Sequence, residues 1–297
     1  MIKRMNMYLF LLNIFISFQA VSADNFIFDL GGVLIDTDPI TSLRHIGLKN
    51  LAHCMIAFKK GPSAINQHIK SKFFEILDNV AIAHAYTLPK KDHNAYDEHG
   101  TTLPSLMCLW LAGAMKSDDI RTLVLDTIEQ SPDWFDHTAE KQAIKNLITM
   151  VFTPEHFIAS RKLYSNSIGF IKSCKKQGHK VYVLSNWDTE SFELLQVKYS
   201  HLFDLFDGIV ISGENDAVKP SPNIYATLLN RYNLDPQKCW FIDDQQENVT
   251  AACNIGINSI LCTHKGPIKK PNFQLIAQQI RDEKEANLQV SNSPREA

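Results

Sequence analysis

The sequence predicts an α/β fold: a parallel sheet covered by helices, with a second, all-helical unit inserted into it. Three observations lead there. From about residue 163 to 262, short apolar runs bounded by turn residues alternate with amphipathic stretches. One more apolar run of the same kind, Asn25–Leu30, stands alone near the N-terminus. Between them, residues 40–162 carry apolar side chains at helical spacings and nothing that alternates like a strand.

A chain of 297 residues can bury a sizeable core, and its composition is ordinary globular, 45% hydrophobic and 21% charged. The formal net charge of −2 gives no electrostatic ground for a nucleic-acid partner or an anionic membrane surface. At the start, Lys3 and Arg4 precede the apolar run Met7–Phe18 and then Val21-Ser22-Ala23, the layout of a signal peptide over residues 1–23. The run is short of the roughly 20 residues of a membrane span, so no stable span is expected. Export to the periplasm or medium follows as the expectation, with Asp24 as the mature N-terminus. If the start is misassigned, the protein is cytoplasmic instead.

Asn25–Leu30 reads as a buried strand that stops at Asp29, with Gly31 and Gly32 next. The glycines allow a sharp turn and close approach of the backbone to a ligand. The core is therefore expected over residues 24–39 and 163–264, with a helical cap over 40–162. Within the cap, Ser63–Asn79, Pro104–Ala114, Ile120–Glu129 and Glu140–Met150 read as helices, and Pro89–Thr102 as a polar interruption. His53, His68, His84, His93 and His99 show no ligand-like pairing and read as surface or interhelix residues. Trp110 and Trp134 read as packing aromatics.

After the insert come a helix over Asn166–Gln177, the strand Lys180–Leu184, a helix over Glu190–Tyr199 and the strand Gly208–Ser212. Then follow a helix over Ile224–Tyr232, the strand Cys239–Ile242, a helix over Val249–Ile255 and a last strand, Ser259–Cys262. This order argues a parallel sheet. Beyond residue 265 one short helix around Phe273–Arg281 is expected, with a disordered polar tail from Glu283. The six cysteines match no zinc spacing and sit in apolar or helical runs, so buried free thiols are expected.

Polar groups end three of the strands: Asp29, Ser185-Asn186 and Asp243-Asp244. In a parallel sheet all three open on one edge, which Lys219 in the Val218-Lys219-Pro220 loop can reach. Singly, each has a plain structural reading as a helix cap, a turn or a solvated charge. Together they suit phosphoryl transfer through a covalent aspartyl-phosphate on Asp29. Asp29, Asp244 and the Gly31 carbonyl offer hard oxygen ligands for Mg²⁺. Ser185 and the Asn186 N–H would hold phosphate oxygens, Gly32 would allow close backbone approach, and Lys219 would neutralise charge.

FDLGGVLID, VLSNWD, VKPSPNIY and FIDDQQENVTAACNIGI resemble the motifs of the haloacid dehalogenase-like hydrolase superfamily, in particular its phosphatases with a helical cap inserted after the first motif. The resemblance implies a Rossmann-like core, a small phosphorylated substrate and Mg²⁺. It implies Asp29 as nucleophile, Ser185 with Asn186 as phosphate ligands, Lys219 as the motif lysine, and Asp243 with Asp244 as the acidic metal loop. Asn248 is similar to the polar residue that follows that loop in relatives.

One position departs from the pattern. The usual phosphatase motif has a general acid two residues after the nucleophile, where this chain has Gly31. Loss of a positioned acid costs about 10²–10⁴-fold and favours good leaving groups. The alternatives are a dehalogenase, a phosphosugar mutase, or a protein that binds phosphate without turnover. Retention of Asp243-Asp244 favours the metal-dependent phosphatase.

Overall fold

The computed structural model describes residues 23–86, 91–97, 99–263 and 271–292. The signal peptide expected over residues 1–23 lies, apart from Ala23, outside them. Among the described residues no helix is long and apolar enough to cross a membrane.

The sheet has five parallel strands: β1 (Asn25–Phe28), β4 (Lys180–Ser185), β5 (Gly208–Ile211), β6 (Cys239–Asp243) and β7 (Asn258–Leu261). Their order is β5-β4-β1-β6-β7, which puts β1 at the centre. Continuous apolar runs suit this position, because both faces of the sheet are covered. One face packs Phe28, Val183 and Ile242 against Ile171 of helix α8 (Ser167–Lys176) and Leu195 of α9 (Thr189–Lys198). The other packs Ile27, Leu184 and Phe241 against Tyr225 of α11 (Pro222–Tyr232) and Ala252 of α12 (Gln246–Asn254). The short helix α10 (Ser200–Phe203) closes the β4-to-β5 connection.

Two elements differ from the sequence reading. β2 (Ile35–Thr37) and β3 (Arg161–Leu163) pair antiparallel and carry the chain out of the core and back again. Three-residue strands are too short to show alternation, so their sequence does not reveal them. At the other end, α13 runs from Phe273 to Asn292, well past the expected Arg281 and through much of the tail expected to be disordered. Phe273, Ile276 and Ile280 are buried on the core, and the Phe273 ring stacks on Phe170 at 4.6 Å. The polar stretch that follows is rich in Glu, Lys, Ala and Gln, which are good helix formers.

The insert comprises α1 (Pro39–Ile46), α2 (Leu48–Phe58), α3 (Pro62–Ala83), α4 (Ser105–Leu111), α5 (Ser117–Gln130), α6 (Thr138–Val151) and α7 (Pro154–Ala159). It has its own core, in which Phe73, Ile76, Trp110, Val124, Ile144 and Phe152 are buried. Burying side chains of this size stabilises by about 1.5–3 kcal/mol each before conformational entropy is counted. The polar interruption joins the insert to the core, where Asp92 and His93 dock on the segment that carries Lys219. The Val218 N–H donates to the Asp92 carbonyl at 3.0 Å, Ser221 Oγ donates to Asp92 Oδ1 at 2.8 Å, and Asn223 Nδ2 donates to Asp92 Oδ2 at 2.7 Å. His93, expected at a surface or between helices of the insert, is buried with Nε2 2.8 Å from Asp216 Oδ1 of the core. The cysteines are free; Cys253 is exposed, against the expectation of burial, because its side of α12 faces outward.

Candidate active site

Register brings the acidic strand ends together. β1 pairs with β6 through Phe28 and Ile242, and one step further lie Asp29 and Asp243, side by side. The Asp29 N–H donates to the Ile242 carbonyl at 2.9 Å, which carries the pairing past the end of β1. On the other side Phe28 pairs with Val183, and Ser185 at the end of β4 comes within reach. Ser185 Oγ donates to Asp29 Oδ1 at 2.7 Å.

Lys219 enters from the loop before α11. Its Nζ donates to Asp29 Oδ1 and to Asp243 Oδ2, both at 2.6 Å. At 2% exposure this ammonium is a buried charge, and two carboxylates are what makes it tolerable there. Burial alone would lower its affinity for a proton, yet the Asp243 and Asp29 charges outweigh burial and hold Lys219 above the usual lysine range. Asp243 also accepts from the Gln245 N–H at 2.8 Å and from Asn248 Nδ2 at 3.1 and 3.2 Å. Asn248 is thus a bracket for the acidic loop.

The three carboxylates of Asp29, Asp243 and Asp244 offer oxygens that all lie within 4.8 Å of one another. Burial pushes the Asp29 carboxyl up to about 6; Lys219 opposes this and Asp243 reinforces it. Asp244 is pushed up to about 8 by burial and by the Asp29 and Asp243 charges. Crowded, dehydrated oxygens of this kind fit a divalent cation, which would offset that repulsion. Gly32 shows how tightly the loop closes on them: at φ +70°, a Cβ there would lie 2.0 Å from Asp244 Oδ2.

A cavity of about 770 Å³ opens over this cluster, between core and insert. Gly31, Gly32, Asn186 and Asp244 line it, whereas Asp29, Ser185, Lys219 and Asp243 form the buried group behind them. The Ser185 hydroxyl and the Lys219 ammonium are therefore both directed at Asp29. Asn186, expected to act through its main-chain N–H, uses its side chain to bond the main chain of Lys219.

The sequence reading gave the rest of the wall no functional role: Trp110 was expected only to pack, and it lines the cavity as well. Trp110 and Phe157 of the insert meet Trp187 of the core in an aromatic wall, with Trp110–Phe157 and Phe157–Trp187 centroids 5.4 and 5.8 Å apart. Tyr164, whose hydroxyl is pushed up by burial and by Asp36, and Arg161 complete the β2–β3 side. Trp187 had a signal, standing two residues after Ser185. Arg161 and Tyr164 had none, because a three-residue strand leaves no period.

Comparison with known proteins agrees with this architecture. A family model described as haloacid dehalogenase-like hydrolase matches residues 23–256. Sesquiterpene phosphatase astK of Aspergillus oryzae is 32% identical over 87 residues, 29% of this chain and 44% of that protein. Pyrophosphatase PpaX of Bacillus cereus is 24% identical over 144 residues, 46% of this chain and 66% of that protein. The chain thus spans from under half to about two-thirds of the length of these curated relatives. Among solved structures, the HAD family enzyme bt-2542 of Bacteroides thetaiotaomicron superposes with a TM-score of 0.52 at 17% identity, covering 82% of this chain and 96% of that one. The same enzyme has been solved with magnesium and inorganic phosphate, and that form covers 86% of this chain and 99% of its own at a TM-score of 0.51 and 16% identity. With four motifs, a central strand that ends in Asp29 and a matching family model, this chain belongs to the haloacid dehalogenase-like hydrolases.

Proposed function

We propose that the protein is a Mg²⁺-dependent phosphatase that hydrolyses a small organic phosphate through an aspartyl-phosphate on Asp29. The observation that carries this reading is the buried Asp29–Lys219–Asp243 group with Asp244 beside it. Ser185 and Lys219 both hold Asp29 Oδ1, which fixes the rotation of the carboxylate. Asp29 then attacks phosphorus, the P–O bond to the alcohol breaks, and water later cleaves the acyl phosphate to release inorganic phosphate and regenerate Asp29. A Mg²⁺ ion held by Asp29, Asp244 and the Gly31 carbonyl, with Asp243 as its neighbour, would supply the positive charge that lets an anionic carboxylate approach an anionic phosphate. Asn186 holds Lys219 in place through its side chain, and its main-chain N–H would meet a phosphate oxygen. The aromatic wall from the insert keeps bulk water away from the reacting centre.

Names of relatives lend support: astK is a phosphatase and PpaX a pyrophosphatase. Gly31 favours substrates whose leaving group departs without a proton from the protein. The same glycine motivates a second reading, phosphate binding without turnover. Phosphate release from a panel of phosphorylated metabolites, with and without Mg²⁺, separates the two. The phosphatase reading expects Mg²⁺-dependent release that disappears in Asp29→Asn; binding of Mg²⁺ and phosphate with no release from any substrate overturns it in favour of the second. Export is proposed on residues 1–23 alone, and N-terminal sequencing of the secreted protein should begin at Asp24.

A further inference from the structure

We propose that Arg161 is the anchor for a second anionic group on the substrate, so that the preferred substrates are phosphomonoesters bearing a carboxylate or a second phosphate away from the scissile bond. This inference rests on the phosphatase reading and specifies its substrate class. Arg161 lies on β3, opposite Thr37 of β2, and lines the same cavity as Asp244. Its guanidinium is held on two sides. Nη1 donates to Thr37 Oγ1, and the guanidinium carbon lies 4.1 Å from the centre of the Phe157 ring. Nε is buried with no hydrogen-bond partner.

What this cation lacks is a counter-ion. No carboxylate lies within 4.0 Å of it among the described residues, although Asp36 is near enough to be felt. Asp36 has its own partners, accepting from the Thr37 N–H at 2.8 Å and lying 3.7 Å from Lys162 Nζ. Burial pushes the Arg161 guanidinium down only to about 10, so it is charged at neutral pH. Lys70, the other cation on the wall, is 3.5 Å from Asp97 Oδ2. A half-buried, oriented and unpaired guanidinium facing a cavity is costly unless an anion comes to it. Its planar fork matches a carboxylate or phosphate in bidentate geometry. The phosphate to be cleaved belongs beside Asp29 and Asp244, so the anion that meets Arg161 is a different group of the same molecule.

The test uses a series of ω-phosphooxy carboxylates of increasing length, each compared with its neutral amide, and bisphosphates compared with the matching monophosphates. Wild-type protein with Mg²⁺ should prefer the acid over the amide by about 10- to 100-fold in kcat/KM at the best length, the size expected for a charge-assisted pair. In Arg161→Met that ratio should fall to near one, and in Arg161→Lys, which keeps the charge but loses the fork, it should be intermediate. Because the ratio is taken within each variant, a general loss of folded protein cancels. Preference for bisphosphates over acids identifies the second group as phosphate, and the reverse identifies it as carboxylate. Equal rates for acid and amide in the wild type, or a ratio that survives in Arg161→Met, overturn the assignment. If no substrate turns over, the phosphatase reading fails; the assignment is then read by calorimetric binding of the same pairs to Asp29→Asn with and without Arg161→Met, and equal affinities or no binding overturn it as well.

Discussion

The side chain of Asn186 and the main chain of Lys219 form a reciprocal pair: Asn186 Nδ2 donates to the Lys219 carbonyl at 2.9 Å, and the Lys219 N–H donates to Asn186 Oδ1 at 2.7 Å. A residue at the end of one strand thus fixes the loop whose ammonium serves the end of another. Replacing Asn186 with Leu leaves both main-chain groups without their partner, at about 1–3 kcal/mol in stability. Asn186→Asp keeps the acceptor and loses the donor, and should lie between wild type and Asn186→Leu in both thermal midpoint and kcat. Equal activity in all three would mean that Lys219 is positioned by other contacts.

Lys219 itself should be the least replaceable side chain in the cluster. Lys219→Met removes the partner of two buried carboxylates, and breaking a buried pair in this way costs about 3–5 kcal/mol. Denaturant unfolding should show a loss of that size together with loss of turnover. Lys219→Arg should not rescue it, because a site with 2% exposure has no room for the larger guanidinium.

The two glycines after Asp29 should respond differently. Gly32→Ala forces a Cβ onto Asp244 at a left-handed backbone angle, so Mg²⁺ affinity and turnover should both fall by more than about tenfold. At Gly31 the nearest atom to a new Cβ is Asp29 Oδ2 at 3.8 Å, an ordinary contact, so Gly31→Ala should be tolerated. Gly31→Asp should then raise kcat on esters with poor leaving groups, by up to about 10²–10⁴-fold where proton transfer limits the rate. Steady-state kinetics on a leaving-group series reads both outcomes.

Asp188 offers a pH signature. It caps α9, accepting from the Ser191 N–H at 2.9 Å, and burial pushes its carboxyl up to about 6. A raised carboxyl binds its proton more tightly when folded than when unfolded. Its ionisation therefore opposes folding above pH 6, and that penalty disappears as pH falls from about 6 toward 4; in full it amounts to at most about 3 kcal/mol. Asp188→Asn can still cap the helix and carries no charge. Urea unfolding across this window should show the variant stabilised relative to wild type at pH 7 and the difference shrinking by pH 4; a constant difference would contradict the assignment.

Asp29, Ser185, Lys219, Asp243 and Asp244 were legible in the sequence because strand ends announce themselves: an apolar run stops at a polar residue, and parallel pairing carries such ends to one edge. The central sheet was legible for the same reason, as uninterrupted apolar runs are what two covered faces require. Other features were decided only by tertiary structure. β2 and β3 are too short to have a period, so the Thr37–Arg161 pairing, and with it the cation on the cavity wall, exists only once the chain has folded back on itself. Asp92 and Asp216 look like solvated loop charges until the insert meets the core and gives them partners. The length of α13 was decided by Phe273, Ile276 and Ile280 finding the core, which secures a polar helix that composition alone reads as a loose tail. The fold class and the cluster of carboxylates were readable from the sequence, because periodicity and strand ends are local. The walls of the cavity were settled by contacts between residues far apart in the chain, and such contacts leave no local pattern to read.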